Sequence, residues 1–238
     1  MKIVILDGYS VNPGDLDWNA LQAMGELAIY DRTAPADIVE RCCGAEIVLT
    51  NKVPFTAETI TRLPDLRYIG VLATGYNIID TRAAAARGIV VTNIPAYSTE
   101  SVAQMVFAHL LNITNRVGEY ALQNRAGRWS RSADFCYWDA PLVELSGKHM
   151  GIVGLGHTGQ ATARIAQAFG LTVCAYTSKA VEQLPGYIHK ASLDELFSEC
   201  DIVSLHCPLN EQTFHLVDAE RLKTVSYTHL RAHETCAD

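Results

Sequence analysis

One short stretch constrains this chain more than any other: Gly151-Ile-Val-Gly-Leu-Gly-His-Thr-Gly159. An apolar run at 150–153 leads into Gly154, Gly156 and Gly159 at G-x-G-x-x-G spacing, and Ala161, Ile165, Ala166 and Phe169 then recur at helical intervals up to Gly170. Residues 171–176 read as a further strand. Strand, tight turn, helix and strand are the context in which such a triplet has a mechanism. Gly154 permits the turn, Gly156 lets backbone approach a pyrophosphate, and Gly159 lets helix and strand pack closely. The helix start offers N–H groups with no partner in their own helix, which suit phosphate oxygens. A glycine-rich turn without a ligand is the competing reading, and the flanking elements count against it. The stretch implies a dinucleotide site.

The 238 residues are 49% hydrophobic, enough for one large or two ordinary cores. A net charge of -7 and the lack of a long basic block argue against a nucleic-acid partner. No apolar run approaches membrane-spanning length, and the N-terminal strand lacks a signal-peptide pattern. Seven cysteines, odd in number and without C-x-x-C spacing, read as buried thiols in a reducing cytoplasm.

Along the chain, apolar strands at 2–6, 27–30, 45–50, 66–72 and 89–92 alternate with helices at 16–24, 36–42, 56–63 and 81–87. This alternation predicts a parallel α/β sheet. A long helix capped by Ser98 or Thr99 runs to about Arg116 and suggests a hinge between two domains. Residues 118–145 carry Trp129, Phe135, Tyr137 and Trp138 among polar residues. This stretch is expected to be a dimer arm, the alternative being a surface loop whose aromatics pack on its own domain. Beyond the glycine motif come a short strand at 187–189, a Ser192-capped helix at 193–199, a strand at 201–206, and loop and helix over 213–222. In the order 3-2-1-4-5-6 these would be the first four strands of a doubly wound sheet, leaving 201–206 as an edge.

Gly75-Tyr-Asn-Ile-Ile-Asp80, Gly88-Ile-Val-Val-Thr-Asn-Ile-Pro-Ala-Tyr97, Ser101-Val-Ala-Gln104, the glycine motif and Leu205-His-Cys-Pro-Leu209 together resemble the D-isomer-specific 2-hydroxyacid dehydrogenases. The wording around 96–105 is most similar to the glycerate dehydrogenase, or hydroxypyruvate reductase, branch. The resemblance implies a flavodoxin-like substrate domain at 1–97 and a Rossmann cofactor domain at 98–223, incomplete here, with an active site in the cleft. It implies hydride transfer between NAD or NADP and a small 2-oxo or 2-hydroxy acid, in a homodimer. A non-catalytic nucleotide-binding regulator on the same scaffold is the alternative.

By position, Thr74 and Gly75 match the family loop facing cofactor and substrate carboxylate, and turn capping is the plainer role for Thr74. His157 and Thr158 lie inside the glycine loop, where the family contacts pyrophosphate through main chain, so His157 is not read as an acid–base group. Cys207 and Pro208 match the segment beside the adenosine. Asn51 ends a strand and could touch substrate, or simply cap the strand end. At the place of the ribose-binding acid stand Thr177, Ser178 and Lys179. Loss of that carboxylate removes repulsion against a 2′-phosphate, which hydroxyls and an ammonium could bind, so NADP stays open beside NAD. A solvated loop lysine is the other reading of Lys179.

The family's catalytic Arg, Glu and His are expected downstream, in segments that this sequence does not contain, so none is assigned. Residues 226–235 resemble a translated sequencing-adapter string. Residues 224–238 are therefore expected to be a non-native tail, and the chain as it stands to be poorly stable and catalytically silent. His229, His233 and Cys236 have ligand-like spacing but no evident fourth ligand or supporting shell, and no metal is expected.

Overall fold

The computed structural model describes residues 1–224; His229, His233 and Cys236 lie outside the described residues. The described chain divides into two compact units, 1–97 and 98–224.

The first unit runs β1 (Lys2–Ile5), α1 (Asn19–Gln22), β2 (Glu26–Ile29), α2 (Ile38–Arg41), β3 (Ile47–Thr50), α3 (Ala57–Thr61), β4 (Tyr68–Val71), α4 (Thr81–Ala86) and β5 (Val90–Thr92). The five strands pair in parallel in the order β2-β1-β3-β4-β5, the order of a flavodoxin-like sheet. Strands of this kind are covered on both faces and so read as continuous apolar runs. Val4, Leu6, Val48, Phe55, Ile60 and Ile69 are fully buried in this core, each contributing about 1.5–3 kcal/mol. Thr56 caps α3, its hydroxyl accepting the Thr59 N–H at 3.3 Å.

The helix expected over 16–24 shrinks to the four residues of α1. Asn12 is the reason: its side-chain carbonyl accepts the N–H groups of Gly14 and Leu16, and its amide donates to the Leu16 carbonyl at 2.7 Å. That local loop competes with helix over the first half of the segment.

The second unit runs α5 (Thr99–Asn115), α6 (Val117–Arg125), β6 (His149–Val153), α7 (His157–Ala168), β7 (Thr172–Tyr176), β8 (Ile188–Lys190), α8 (Leu193–Glu199), β9 (Ile202–Leu205) and α9 (Ala219–Thr224). Its parallel sheet has the order β8-β7-β6-β9, half of a doubly wound sheet with β9 at one edge among the described residues. Met150 and Ile152 of β6 face a core shared with α5 and α7, while Val153 packs with Leu196 and Phe197 of α8 on the other face. Phe107 of α5 stacks on Phe169 at 5.2 Å. Ser98 stands at the start of α5, and its side chain makes no capping bond. Ser192 and Glu195 form a reciprocal capping box at α8.

Within 118–145 the sequence reading missed α6. None of its residues is buried, so it lacks the apolar stripe by which a helix is recognised. Arg116 at φ +52° ends α5 and begins α6 in one left-handed residue.

Candidate functional site

The site in the second unit is built where β6 ends. Gly154 has φ +91° and its N–H donates to the Tyr176 carbonyl at 2.9 Å, tying the turn to the end of β7. A β-carbon there would stand 2.7 Å from the His206 carbonyl oxygen and 2.8 Å from the Cys207 nitrogen, so the backbone leaving β9 passes directly over this residue. Gly159, in the first turn of α7, presses on the turn itself: its β-carbon would meet the Gly154 oxygen at 2.1 Å. Gly156 differs. It starts α7 at φ -76°, and a β-carbon on it would touch nothing within 4 Å. Two glycines thus close the turn, while the third faces open space at a helix start whose dipole favours an anion.

That open side belongs to a depression of about 290 Å³ lined by Val153, Gly154, Leu155, Gly156, Tyr176, Thr177, Ser178, Lys179, Cys207 and Thr213. Of the residues singled out from sequence, Gly154, Gly156, Thr177, Ser178, Lys179 and Cys207 meet here. His157 and Thr158 form the first turn of α7, Gly159 is buried behind it, and Pro208 adjoins Cys207, accepting the Thr213 hydroxyl on its carbonyl at 2.6 Å. Val153, Leu155, Tyr176 and Thr213 were missed. For Thr213 a signal existed: in Asn210-Glu-Gln-Thr213 the Asn side chain accepts the Gln212 and Thr213 N–H groups and the Thr hydroxyl accepts the Asn210 N–H. Such a reciprocal turn fixes a short loop.

His206 follows β9 with its Nε2 2.9 Å from the Ser204 hydroxyl. Burial pushes its pKa down to about 4, so the ring is neutral at physiological pH.

In the first unit Asn51 and Thr74 follow the neighbouring strands β3 and β4. The Asn51 amide donates to the Ser10 hydroxyl at 3.1 Å. The Thr74 hydroxyl donates to the Ile94 carbonyl at 3.1 Å, and the Asn93 amide donates to the Thr74 carbonyl at 2.7 Å. Gly75 follows directly, half-buried. A depression of about 350 Å³ opens beside the ends of β1, β2 and β3, lined by residues including Asp7, Tyr9, Arg32 and Lys52. Asn51, Thr74 and Gly75 are not among its lining residues.

Among the described residues no group of three or more His, Cys, Asp or Glu side chains could hold a metal ion, no helix is long and apolar enough to cross a membrane, and none of the six described cysteines is in a disulfide.

A parallel sheet ordered β8-β7-β6-β9, with a glycine turn opening a helix beside a pocket at its carboxyl edge, defines a dinucleotide-binding α/β protein. The residues fit the ligand: the one glycine without neighbours faces the pocket, and the two crowded ones build it. Comparison with known proteins narrows the class. Residues 107–229 match the model of the D-isomer specific 2-hydroxyacid dehydrogenase NAD binding domain. A hydroxypyruvate reductase of Blautia hydrogenotrophica is 47% identical over 226 residues, covering 93% of this chain and 70% of that protein. A glycerate dehydrogenase of Methylorubrum extorquens is 36% identical, covering 93% and 68%. Among solved structures, an acyclic imino acid reductase in complex with NADPH and D-Arg superposes with a TM-score of 0.79 at 26% identity, over 94% of this chain and 71% of that one. The chain belongs to the D-isomer specific 2-hydroxyacid dehydrogenase family. It is an oxidoreductase sequence of the CH–OH class with NAD or NADP as cofactor, and the enzymes among its relatives do not favour a purely regulatory role.

Proposed function

We propose that the family's chemistry is directed here at a small 2-oxo acid of the hydroxypyruvate or glyoxylate kind, and at the matching 2-hydroxy acid in reverse. The observation that carries this is the 47% identity to a protein named hydroxypyruvate reductase. When bound, the nicotinamide supplies or accepts the hydride. The chain's own residues bind and orient. N–H groups of the first turn of α7, at His157, Thr158 and Gly159, hold the diphosphate, while Thr177–Lys179 and Cys207–Pro208 flank the adenosine. In the first unit, the substrate side, backbone at Thr74 and Gly75 and the Asn51 side chain offer hydrogen bonds to a carboxylate.

No described residue is assigned the proton transfer. Among them, His149 and Asp201 make an imidazole–carboxylate contact at 4.0 Å, but at the start of β6 and just before β9, opposite the glycine turn.

The assembly proposed is a homodimer. Trp129, Phe135 and Trp138 are 59%, 89% and 70% exposed on the segment after α6, apolar area that a second copy would cover. A cytoplasmic setting accords with described cysteines that form no disulfide.

The test is a steady-state assay of the protein with hydroxypyruvate, glyoxylate, pyruvate and a branched 2-oxo acid. Highest kcat/KM for hydroxypyruvate or glyoxylate is expected. A preference for the branched acid would overturn the assignment.

A further inference from the structure

We infer that the second unit selects NADPH over NADH, with Lys179 reading the 2′-phosphate and Lys190 holding the loop that presents it. This rests on the dinucleotide reading of the glycine turn and adds which cofactor enters.

β7 ends at Tyr176, and the next residue occupies the place from which a carboxylate would bind the ribose hydroxyls of NADH. That residue is Thr177. None of the ten pocket-lining residues is an Asp or Glu, and Lys179 is the cation among them. The loop is shaped for this placement. The Thr177 hydroxyl accepts the Lys179 N–H at 3.2 Å, a local turn that keeps Thr177, Ser178 and Lys179 together along the rim. Farther on, the Gln183 side chain, a neutral group, accepts the Ala180 N–H at 3.0 Å. From the adjacent strand, the Lys190 ammonium donates to the Lys179 carbonyl at 2.6 Å.

Two ammonium groups therefore meet at one short loop: Lys179 in the pocket lining, and Lys190 from β8 holding its backbone. A phosphate monoester carries about 1.5–2 negative charges near neutral pH. It gains charge-assisted hydrogen bonds from such a loop, whereas a ribose hydroxyl gains little. A carboxylate at position 177 would reverse the balance by repelling the phosphate and accepting from the hydroxyls.

The test is equilibrium titration of the full chain with NADPH and NADH at one ionic strength, followed by cofactor fluorescence. Adenosine 2′,5′-bisphosphate and AMP serve as competitors that probe only the adenosine end. NADPH should bind about tenfold or more tightly than NADH, the worth of one good contact to a charged group. Lys179→Met should weaken NADPH about tenfold more than it weakens NADH, removing most of that advantage, since the phosphate contact is made by NADPH alone. Thr177→Asp should invert the preference. Lys190→Met should weaken NADPH and the bisphosphate more than NADH and AMP. Equal affinities in the parent protein, or equal weakening of both cofactors by Lys179→Met, would overturn the inference while leaving the dinucleotide site intact. Failure of either cofactor to bind at all would instead overturn the dinucleotide reading and this inference with it.

Discussion

The carboxylate of Asp7 accepts the backbone N–H of Asn51 at 2.8 Å. A second oxygen takes the Lys52 N–H at 2.5 Å, so a side chain only 7% exposed joins the ends of β1 and β3. Asp7→Ala strands two amide groups in a shielded place. Leaving two part-buried donors to find water instead should cost about 1–2 kcal/mol, read as a lower urea midpoint. An unchanged midpoint would mean that the Asn51–Lys52 turn finds other acceptors.

The glycines of the turn make opposite predictions. Gly159→Ala forces α7 away from Gly154, and over-packing of this kind costs about 1–3 kcal/mol, so thermal stability and cofactor affinity should fall together. Gly156→Ala meets no atom of the protein and should melt like the parent while binding dinucleotide about tenfold more weakly, because its methyl occupies ligand space. Parental affinity in Gly156→Ala would show that the ligand does not approach this face.

His206 makes stability depend on pH. Its folded pKa, near 4, lies below the ordinary 6.5 because burial penalises the charged ring. The unfolded chain thus takes up the proton first. The contribution of this residue is complete above 6.5 and is lost as pH falls toward 4. His206→Gln should flatten the decline of stability over that window in chemical unfolding at several pH values. A mutant with the parental slope would assign the decline to other groups.

Arg128 and Asp139 clasp the segment after α6. Two guanidinium nitrogens reach the two carboxylate oxygens at 2.5 and 2.6 Å, the Gln123 amide adds a third bond at 2.8 Å, and the Arg128 guanidinium sits 4.2 Å over the Tyr137 ring. Hydrogen bonds from Arg128, then Gln123, hold the Asp139 pKa down at about 2. The clasp's contribution is complete above the ordinary value of 3.8 and disappears as pH falls toward 2. Asp139→Asn at neutral pH should loosen this segment, shift the emission of Trp129 and Trp138, and raise the monomer fraction on gel filtration. Unaltered emission would mean that the aromatic contacts alone hold it.

Much of this was legible in the residues. The buried parallel strands announced themselves as apolar runs such as Ile3–Leu6, numbered 3–6 in the chain, because both faces are covered. The order of the second sheet followed from the glycine motif, since a strand–turn–helix of that kind forms the centre of a doubly wound sheet. Helix α6 was not legible, because it buries nothing and carries Gly118 in its first turn. Nor was the shortened α1, whose limit is set by the side chain of Asn12 rather than by periodicity. In the pocket, positions fixed by local turn chemistry were readable, whereas Tyr176 joined the lining only through its place at a strand end. Lys190 could not be foreseen at all: its partner lies across a strand pairing, Ala175 against Lys190, that sequence alone does not register.

That pairing has a consequence for how the ligand would be released. β8 is a three-residue outer strand, whereas β6 lies between two neighbours. Peripheral strands open at lower free energy than central ones. Under mild denaturant the clamp on the Lys179 carbonyl should therefore fray while the glycine turn stays folded, and the protein would forget which cofactor it prefers before it forgets how to hold one.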